Sequence, residues 1–478
     1  MSTYALYGQR EEVEPERNSK VGLRRVTAVE FSAARDETSE IRVDIEDDEV
    51  VGVNRDGDFV LWMRGDELRR ELGDESRDVD GALALKTAFG ADKNARGLGG
   101  WLLKGLKIFG IDPAEQLVTK TAERVEANNH NQLLRLDPAA TQAWTEQAWQ
   151  PVDSLPAEAA GKEPLLLFLH GTFSSTLGSF GELFKLPGPM EALRASYPAR
   201  IYGFEHRTLT QSPIANALAL VKQLPADSRL HLVSHSRGGL VGDLLCLSPL
   251  IERHGLVSPE YLQRLSPDDR RDLPLLIDEL RSRRIEVERF VRVASPSRGT
   301  TLASGRVDRW LSVVSNLLAK VPMLSGAVAD AVMDFILAVV KEPQDAETLP
   351  GLEAMMPSSP LVGLLNRPDL QIPEPALLAV ISGDIQEQGI WGRLKLLIPD
   401  LFFAGDHDLV VNMGSMYGGL RRAQGWFCFD QGANVHHFDY FGATLDDDSQ
   451  SAPEPVTVDA LMLGRLGAPP GRLYKPLA

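Results

Sequence analysis

The stretch RLHLVSHSRGGLVGDLL, residues 229–245, crowds serine, histidine and glycine between two apolar runs. The first run is typical of a strand and the second of a helix, so the polar residues lie at a strand–turn–helix junction. Such a turn strains its middle residue, Ser236, and requires small residues two positions before and after it, where Ser234 and Gly238 stand. The turn would raise the Ser236 hydroxyl above the sheet at the positive end of the helix, where a nucleophile's oxyanion is stabilised.

Two later segments carry the residue types that activate a serine hydroxyl, namely a histidine base and a carboxylate that orients it. The segment LFFAGDHDLVVNMGSM places Asp406 and Asp408 directly after a strand-like run. The segment GANVHHFDYFG supplies His436 and His437 near the C-terminal end. Residue types alone leave both choices open.

These residues are far apart in the sequence, so a folded sheet has to bring them together. The alternation of apolar and helical stretches beyond Glu163 predicts such a sheet. Short apolar runs alternate with helical stretches, and runs that are apolar throughout indicate strands buried on both faces of a mainly parallel sheet. The runs are LLLFLH, ARIYGFEH, RLHLVSHS, RFVRVASP, ALLAVISGD and QGWFCFD. Catalytic groups belong at the carboxyl ends of such strands, which carry His170, His206, Ser236, Ser295 and Asp384.

At these residues the sequence resembles the α/β-hydrolase superfamily, in its lipase and esterase branch related to lecithin-cholesterol acyltransferase. The family's G-x-S-x-G motif is present as Ser234-His235-Ser236-Arg237-Gly238, with serine in place of the first glycine. The run LLLFLHGTFSS resembles the family's oxyanion loop. The resemblance implies an α/β-hydrolase fold with a mainly parallel sheet and a helical cap insertion.

The resemblance also assigns the remaining roles. The family's Asp-x-Val-Val pattern selects Asp408 over Asp406 as the acid, and a histidine ahead of Phe-x-Tyr-Phe selects His437 as the base, with His436 as the fallback. The order serine, acid, histidine is the one that this superfamily uses.

The backbone N–H groups of Thr172 and Arg237 are the implied oxyanion donors, and Gly171 would let the loop approach closely. The implied reaction is acyl transfer through an acyl-enzyme on Ser236, with no metal or organic cofactor. Of the other histidines, His170 is expected to hold the loop in shape, and His206 either lines the pocket or is structural. By the resemblance, His235 points away from the base and is expected to be a packing residue.

Residues from about 301 to 348 follow the turn RVASPSRGT and are predicted to form the cap. Their apolar helical pattern suits an acyl chain, so the expected substrate is a carboxylic ester or lipid with an apolar acyl group. A thioesterase, an amidase or peptidase with the same triad, and a vestigial scaffold or lipid-binding module are the alternatives.

We expect the chain to divide into a β-rich accessory domain over residues 1–80, a helical connector and linker over 81–160, and the catalytic domain over 161–470. The accessory domain would offer a surface for a protein partner. The Gly-rich apolar piece from Gly97 to Gly110 permits peripheral membrane contact, although packing within the protein is the favoured interpretation.

Composition bears on nucleic-acid binding, on the state of the cysteines and on the cellular location. The net charge of −17 argues against nucleic-acid binding, which needs clustered Lys and Arg. Cys246 and Cys428 each lie in an apolar run, as expected of buried free thiols in a reducing compartment. The N-terminus carries acidic residues where a signal peptide needs an apolar run, and the apolar segment 311–342 is interrupted by charges and a proline, so a cytoplasmic location is expected.

Overall fold

The computed structural model of the chain describes residues 1–13, 19, 21–31, 40–55, 59–72, 82–84, 103–160, 163–251, 256–300, 311–312, 314–316, 327–343, 349–373, 376–384, 407–422, 426–430, 435–442, 456–462 and 474–476. The chain forms two compact units. The first consists of residues 1–125, 305–348 and 388–401, and the second of residues 126–304, 349–387 and 402–478.

Within these described ranges, strands and helices have the following bounds. The strands are β1 Ser2–Val13, β2 Leu23–Phe31, β3 Glu40–Ile45, β4 Val50–Arg55, β5 Phe59–Arg64, β6 Leu83–Ala84, β7 Leu103–Ile111, β8 Gln132–Leu136, β9 Trp149–Val152, β10 Leu165–Leu169, β11 Ile201–Glu205, β12 Arg229–His235, β13 Glu286–Val293, β14 Gln371–Ile372, β15 Leu377–Ser382, β16 Arg421–Arg422, β17 Trp426–Asp430 and β18 Tyr474–Pro476. The helices are α1 Gly65–Leu72, α2 Leu117–Val125, α3 Thr176–Phe184, α4 Pro187–Ser196, α5 Pro213–Gln223, α6 Gly238–Leu245, α7 Pro259–Gln263, α8 Pro267–Arg283, α9 Ala327–Lys341, α10 Pro350–Glu353, α11 Pro360–Leu365, α12 Met413–Met416 and α13 Val456–Met462.

The first unit is built on an antiparallel sheet with strand order β3-β1-β2-β7-β4-β5, and the short β6 pairs parallel with β1. The β-rich character expected of the N-terminal region is confirmed. The helical pattern expected beyond residue 81 is wrong for β7, which pairs with β2 on one side and β4 on the other. Leu106 and Ile108 are buried while Lys107 between them is exposed, which is the two-residue period of a strand.

The described part of the expected cap belongs to this first unit. Helix α9 packs against α2 and the strands β4 and β5, and Asp334 on α9 forms an ion pair with Arg124. Asn316 pairs with the main chain of Val60 at the edge strand β5, accepting from its N–H at 2.8 Å and donating to its C=O at 2.7 Å. These contacts satisfy backbone groups that an uncovered edge would expose.

The second unit contains a sheet with strand order β18-β17-β15-β13-β12-β10-β11-β8-β9. The six strands from β17 to β11 are parallel, and β8, β9 and β18 add antiparallel pairs at the two edges. The six parallel strands are the six apolar runs of the sequence. The α/β-hydrolase fold with a mainly parallel sheet is therefore confirmed, whereas the strands β8 and β9 stand where the helical connector was expected.

Serines start the helices around the sheet. The Ser212 hydroxyl accepts the N–H of Ala215 at the start of α5, and Pro213 occupies the first helical position. Ser175 caps α3 in the same manner by accepting from Gly178. None of the helices in the described ranges combines the length and apolar character that crossing a bilayer requires.

Candidate active site

Ser236 lies between β12 and α6 in the strained conformation that the sequence predicts. Its φ angle is 52°, which is unusual for a residue with a side chain. Its N–H donates to Val293 O at 2.9 Å, and its C=O accepts from Gly239 N at 2.9 Å. A Cβ atom on Gly238 would fall inside van der Waals contact with the Leu169 carbonyl, so strand and helix pass too closely for a larger residue. Ser236 is buried, with 5% of the residue exposed.

A carboxylate and an imidazole meet in the same unit. Asp408 Oδ2 lies 2.8 Å from His437 Nδ1, and both residues are buried. Asp408 Oδ1 accepts from the N–H groups of Val410 and Val411 at 3.0 and 2.8 Å, and Oδ2 also accepts from the Tyr440 hydroxyl at 3.1 Å. The carboxylate is therefore held on both oxygens, and it fixes the Nδ1–H tautomer of His437.

The charge of Asp408 is stabilised despite its burial. Desolvation would raise the pKa of this carboxyl group, but the charge of His437 and the hydrogen bonds from His437, Val411 and Val410 outweigh it and hold the pKa below the ordinary value. Leu409, the next residue, has a φ of 78°, so the loop is strained where it presents the acid. Asp408 is thus an anion at neutral pH.

The structure separates the two adjacent histidines. His436 Nε2 contacts Asp439, on the surface side of the segment, while His437 contacts Asp408. Asp406, the alternative acid, lies outside the described residues. Within the described part of the chain, the Ser236 hydroxyl and the His437 imidazole are not joined by a hydrogen bond, which is common where no substrate is bound.

The predicted oxyanion loop follows β10 and approaches Ser236. A Cβ atom on Gly171 would lie 2.9 Å from Ser236 Cβ, so only glycine allows this approach. The backbone N–H groups of Thr172 and Arg237 have no acceptor among the described residues. The next residue, Phe173, has a φ of 58°, and its N–H donates to Thr208 Oγ1 at 3.3 Å.

His170 sets the direction of the Thr172 N–H. The N–H of His206 donates to His170 Nε2 at 3.1 Å, so the proton of the neutral ring lies on Nδ1, which donates to the Gly171 carbonyl at 3.0 Å. Burial lowers the pKa of His170 and keeps the ring neutral. Because the Gly171 C=O and the Thr172 N–H belong to one planar peptide, holding the carbonyl aims the N–H in the opposite direction.

His206 is a structural residue rather than part of a pocket. Its imidazole is fully buried and stacks on that of His170, with ring centroids 4.0 Å apart. Its Nδ1 donates to Phe204 O at 3.0 Å. Burial and the neighbouring His170 and Arg237 lower the pKa of His206 well below its ordinary value, so the ring is neutral.

Glu126 supports this region and was not found by sequence reasoning. It is almost fully buried, and its carboxylate accepts from the N–H and hydroxyl of Thr208, the N–H of Leu209, and the N–H and hydroxyl of Thr210. Thr208 in turn accepts the N–H of Phe173. The sequence gives no signal for this role, because nothing distinguishes Glu126 from the other glutamates of a predicted helical connector.

The Arg237 side chain was also missed. Its guanidinium is fully buried and donates to Asn216 Oδ1 at 3.0 Å and to Gln211 O at 2.5 Å. Burial lowers the pKa of Arg237 to about 10, so the group stays charged at neutral pH. These bonds anchor the turn that carries the backbone N–H of Arg237.

Comparison with family models assigns the chain to one family. A family model described as a domain of unknown function, DUF7379, matches residues 131–256 and 271–447, more than half of the chain. The matched segments include Thr172, Ser236, Arg237, Asp408 and His437. The comparison with curated proteins gives no match.

Solved structures with a similar fold include lipases and a thioesterase domain. Lipase BlEst2 of Bacillus licheniformis in its mature form is 16% identical over 61% of this chain and 92% of its own, with a TM-score of 0.31. Lipase 1 of Pelosinus fermentans is 15% identical over 63% and 98%, with a TM-score of 0.39. The Vlm2 thioesterase domain is 13% identical over 70% and 96%, with a TM-score of 0.29. The finer resemblance to the lecithin-cholesterol acyltransferase branch stays a prediction.

Proposed function

The chain belongs to the DUF7379 family, and we propose that it is a serine hydrolase that cleaves carboxylic esters with an apolar acyl group. The observation that carries the proposal is the 2.8 Å hydrogen bond between Asp408 and His437, in the unit that also holds Ser236 at a strained turn. A buried carboxylate that fixes the Nδ1–H tautomer leaves the imidazole Nε2 free to accept a proton. That is the arrangement of a general base.

In the proposed reaction, Ser236 Oγ attacks the acyl carbon while its proton passes to His437 Nε2. Asp408 stabilises the imidazolium that forms. The tetrahedral oxyanion accepts hydrogen bonds from the N–H groups of Thr172 and Arg237, which have no acceptor among the described residues.

Collapse of this intermediate releases the alcohol, which takes the proton back from His437 Nε2, and leaves the acyl group on Ser236. His437 then removes a proton from water, and the resulting hydroxide attacks the acyl-enzyme. The product acid leaves as Ser236 regains its proton. Every proton transfer in the acylation and in the hydrolysis of the acyl-enzyme passes through His437.

The preference for an apolar acyl group has one support among the described residues of the second unit. Met355 lies beside the oxyanion loop, where its Sδ atom accepts from the Thr172 hydroxyl at 3.7 Å, and its thioether side chain gives the loop a largely apolar neighbour. A long acyl chain gains free energy from such surroundings at about 0.8 kcal/mol per buried methylene group.

The test is hydrolysis of p-nitrophenyl esters with short to long acyl chains by the wild type and by Ser236→Ala, at neutral pH. Ser234→Ala is the matched control, because it removes a hydroxyl from the same turn without touching the nucleophile. We expect Ser236→Ala to lose at least about 10³-fold in kcat while Ser234→Ala keeps it.

The acyl-chain series and a matched amide and thioester series report the substrate class. Increasing kcat/KM with chain length supports the apolar acyl site. A folded wild type with no more turnover than Ser236→Ala on all three series contradicts the proposal and favours the non-catalytic scaffold.

A further inference from the structure

His235, the residue before the nucleophile, is expected from the sequence motif to do no more than pack. The structure places it at the end of β12, fully buried between the segment of His437 and helix α3. Its ring packs edge-on against Phe441 at a centroid distance of 5.5 Å and against Phe438 at 5.9 Å. Both ring nitrogens nevertheless make hydrogen bonds.

The first of these bonds is to the base. His235 Nε2 lies 2.8 Å from the main-chain carbonyl of His437. A carbonyl oxygen only accepts, so Nε2 carries the proton and donates. The N–H of His437 donates to the carbonyl of Asp408 at 3.1 Å. The main chain of the base is thus held at its N–H by the acid loop and at its C=O by His235.

The second bond leads to the oxyanion loop. Since Nε2 carries the proton of the neutral ring, His235 Nδ1 is an acceptor, and the Ser179 hydroxyl lies 3.3 Å from it. Ser179 Oγ accepts in turn from the N–H of Gly171 at 3.3 Å. The Ser179 hydroxyl also donates to Ser174 Oγ at 3.0 Å, so its single proton is shared between Ser174 Oγ and His235 Nδ1.

The imidazole of His235 keeps this arrangement over the working pH range. Burial is the largest cause that lowers the pKa of His235, and the neighbouring His437 adds to it, so the pKa lies at about 3. The ring is neutral at neutral pH, with one donor and one acceptor, and both are used. A continuous chain of hydrogen bonds therefore runs from Gly171 through Ser179 and His235 to His437.

We infer that His235 is a positioning residue that couples the oxyanion loop to the general base. Through Nε2 it fixes the main chain from which the His437 imidazole projects, and through Ser179 it fixes Gly171, whose neighbour Thr172 supplies an oxyanion donor. The inference rests on the proposed function, because it concerns the same site. A displacement of about 1 Å in such a group reduces turnover by about 10²-fold.

Two substitutions by amide residues test whether the bond from His235 Nε2 to the His437 carbonyl matters for turnover. In His235→Gln the terminal nitrogen reaches close to the position of Nε2 and can donate to the His437 carbonyl. In His235→Asn the side chain is shorter and leaves that carbonyl without its donor. We expect kcat for a p-nitrophenyl ester to stay within about 3-fold in His235→Gln and to fall by about 10- to 100-fold in His235→Asn, with KM unchanged in both.

A second readout does not depend on activity. The proton shared between His437 Nδ1 and Asp408 gives a far-downfield proton NMR signal, which is assigned by its loss in His437→Gln. We expect this signal to persist in His235→Gln and to broaden and exchange faster with water in His235→Asn. If His235→Asn does not fold, His235→Leu carries the same test, because it fills a similar volume and leaves the His437 carbonyl without its donor.

The outcomes distinguish the inference from the proposed function. A folded His235→Asn, or His235→Leu in its place, with wild-type kcat and an unchanged signal overturns the positioning role while leaving the hydrolase intact. A signal that responds as expected in a protein without esterase activity supports the positioning role and contradicts the proposed function.

Discussion

The two hydrogen bonds of His170 can be removed one at a time, and we predict opposite consequences. Its Nδ1–H holds the Gly171 carbonyl at 3.0 Å, and its Nε2 accepts the N–H of His206 at 3.1 Å. In His170→Asn the side-chain nitrogen lies near the position of Nδ1 and keeps the first bond. In His170→Gln the side-chain oxygen reaches toward the position of Nε2 and keeps the second.

The magnitudes follow from what each bond does. Without the bond to Gly171, the peptide that carries the Thr172 N–H is free to rotate, and loss of one oxyanion donor reduces kcat by about 10²- to 10³-fold, or about 3 to 4 kcal/mol. Without the bond from His206, a buried N–H is left unpaired, which costs about 1–3 kcal/mol of folding free energy. His170→Gln should therefore be stable and slow, whereas His170→Asn should be active and less stable.

The assay combines steady-state ester hydrolysis with denaturant unfolding of both variants at neutral pH. We expect KM to change little in His170→Gln, because the oxyanion donor acts on charge that develops only in the transition state. The reasoning is refuted if His170→Gln keeps kcat within about 3-fold of wild type, or if the two variants lose activity and stability in parallel.

Three further predictions concern stability. Glu126→Gln should lower the free energy of unfolding by about 3 kcal/mol, because an amide nitrogen would face buried donors that the carboxylate now satisfies. Denaturant unfolding measures this change, and a loss below about 1 kcal/mol would contradict the prediction. Ser234→Ala should stabilise the protein by about 1 kcal/mol, because the buried Ser234 hydroxyl has no partner among the described residues. Thermal unfolding tests this, and a melting temperature lower than that of the wild type would count against it. His206 is neutral when folded, but in the unfolded chain it is protonated below about pH 6.5, so stability falls with acidification. Between pH 6 and 5, His206→Phe should therefore lose about 1.2 kcal/mol less stability than the wild type, and equal losses in both proteins would refute this.

The sequence predicts the sheet well because its signal is local. The run that forms β10 is apolar throughout, and the run that forms β15 is apolar up to its last residue, Ser382; strands buried on both faces need that composition. The turn at Ser236 is predictable for the same reason, since small residues must flank a strained position. The choice of His437 over His436 came from resemblance, and the structure brings His437 rather than His436 to Asp408.

Other features depend on contacts that the sequence does not encode locally. Strand β7 contains two glycines and two lysines within an apolar segment, so only its pairing with β2 and β4 decides that it is a strand. The role of Glu126 depends on three residues more than 80 positions away in the chain. His235 is read as a packing residue in the motif, and its two hydrogen bonds become visible only when α3 and the segment of His437 are in place.

The most direct test of the central claim is whether Ser236 is an activated nucleophile. The wild type would be incubated with an alkyl fluorophosphonate, which a serine Oγ displaces with loss of fluoride, and the adduct would be located by mass spectrometry of the peptides. We expect a single adduct on Ser236, absent from Ser236→Ala and retained in Ser234→Ala, with labelling strongly slowed in His437→Gln. A folded wild type that takes up no label, or that is labelled at another serine while Ser236 stays free, would contradict the account.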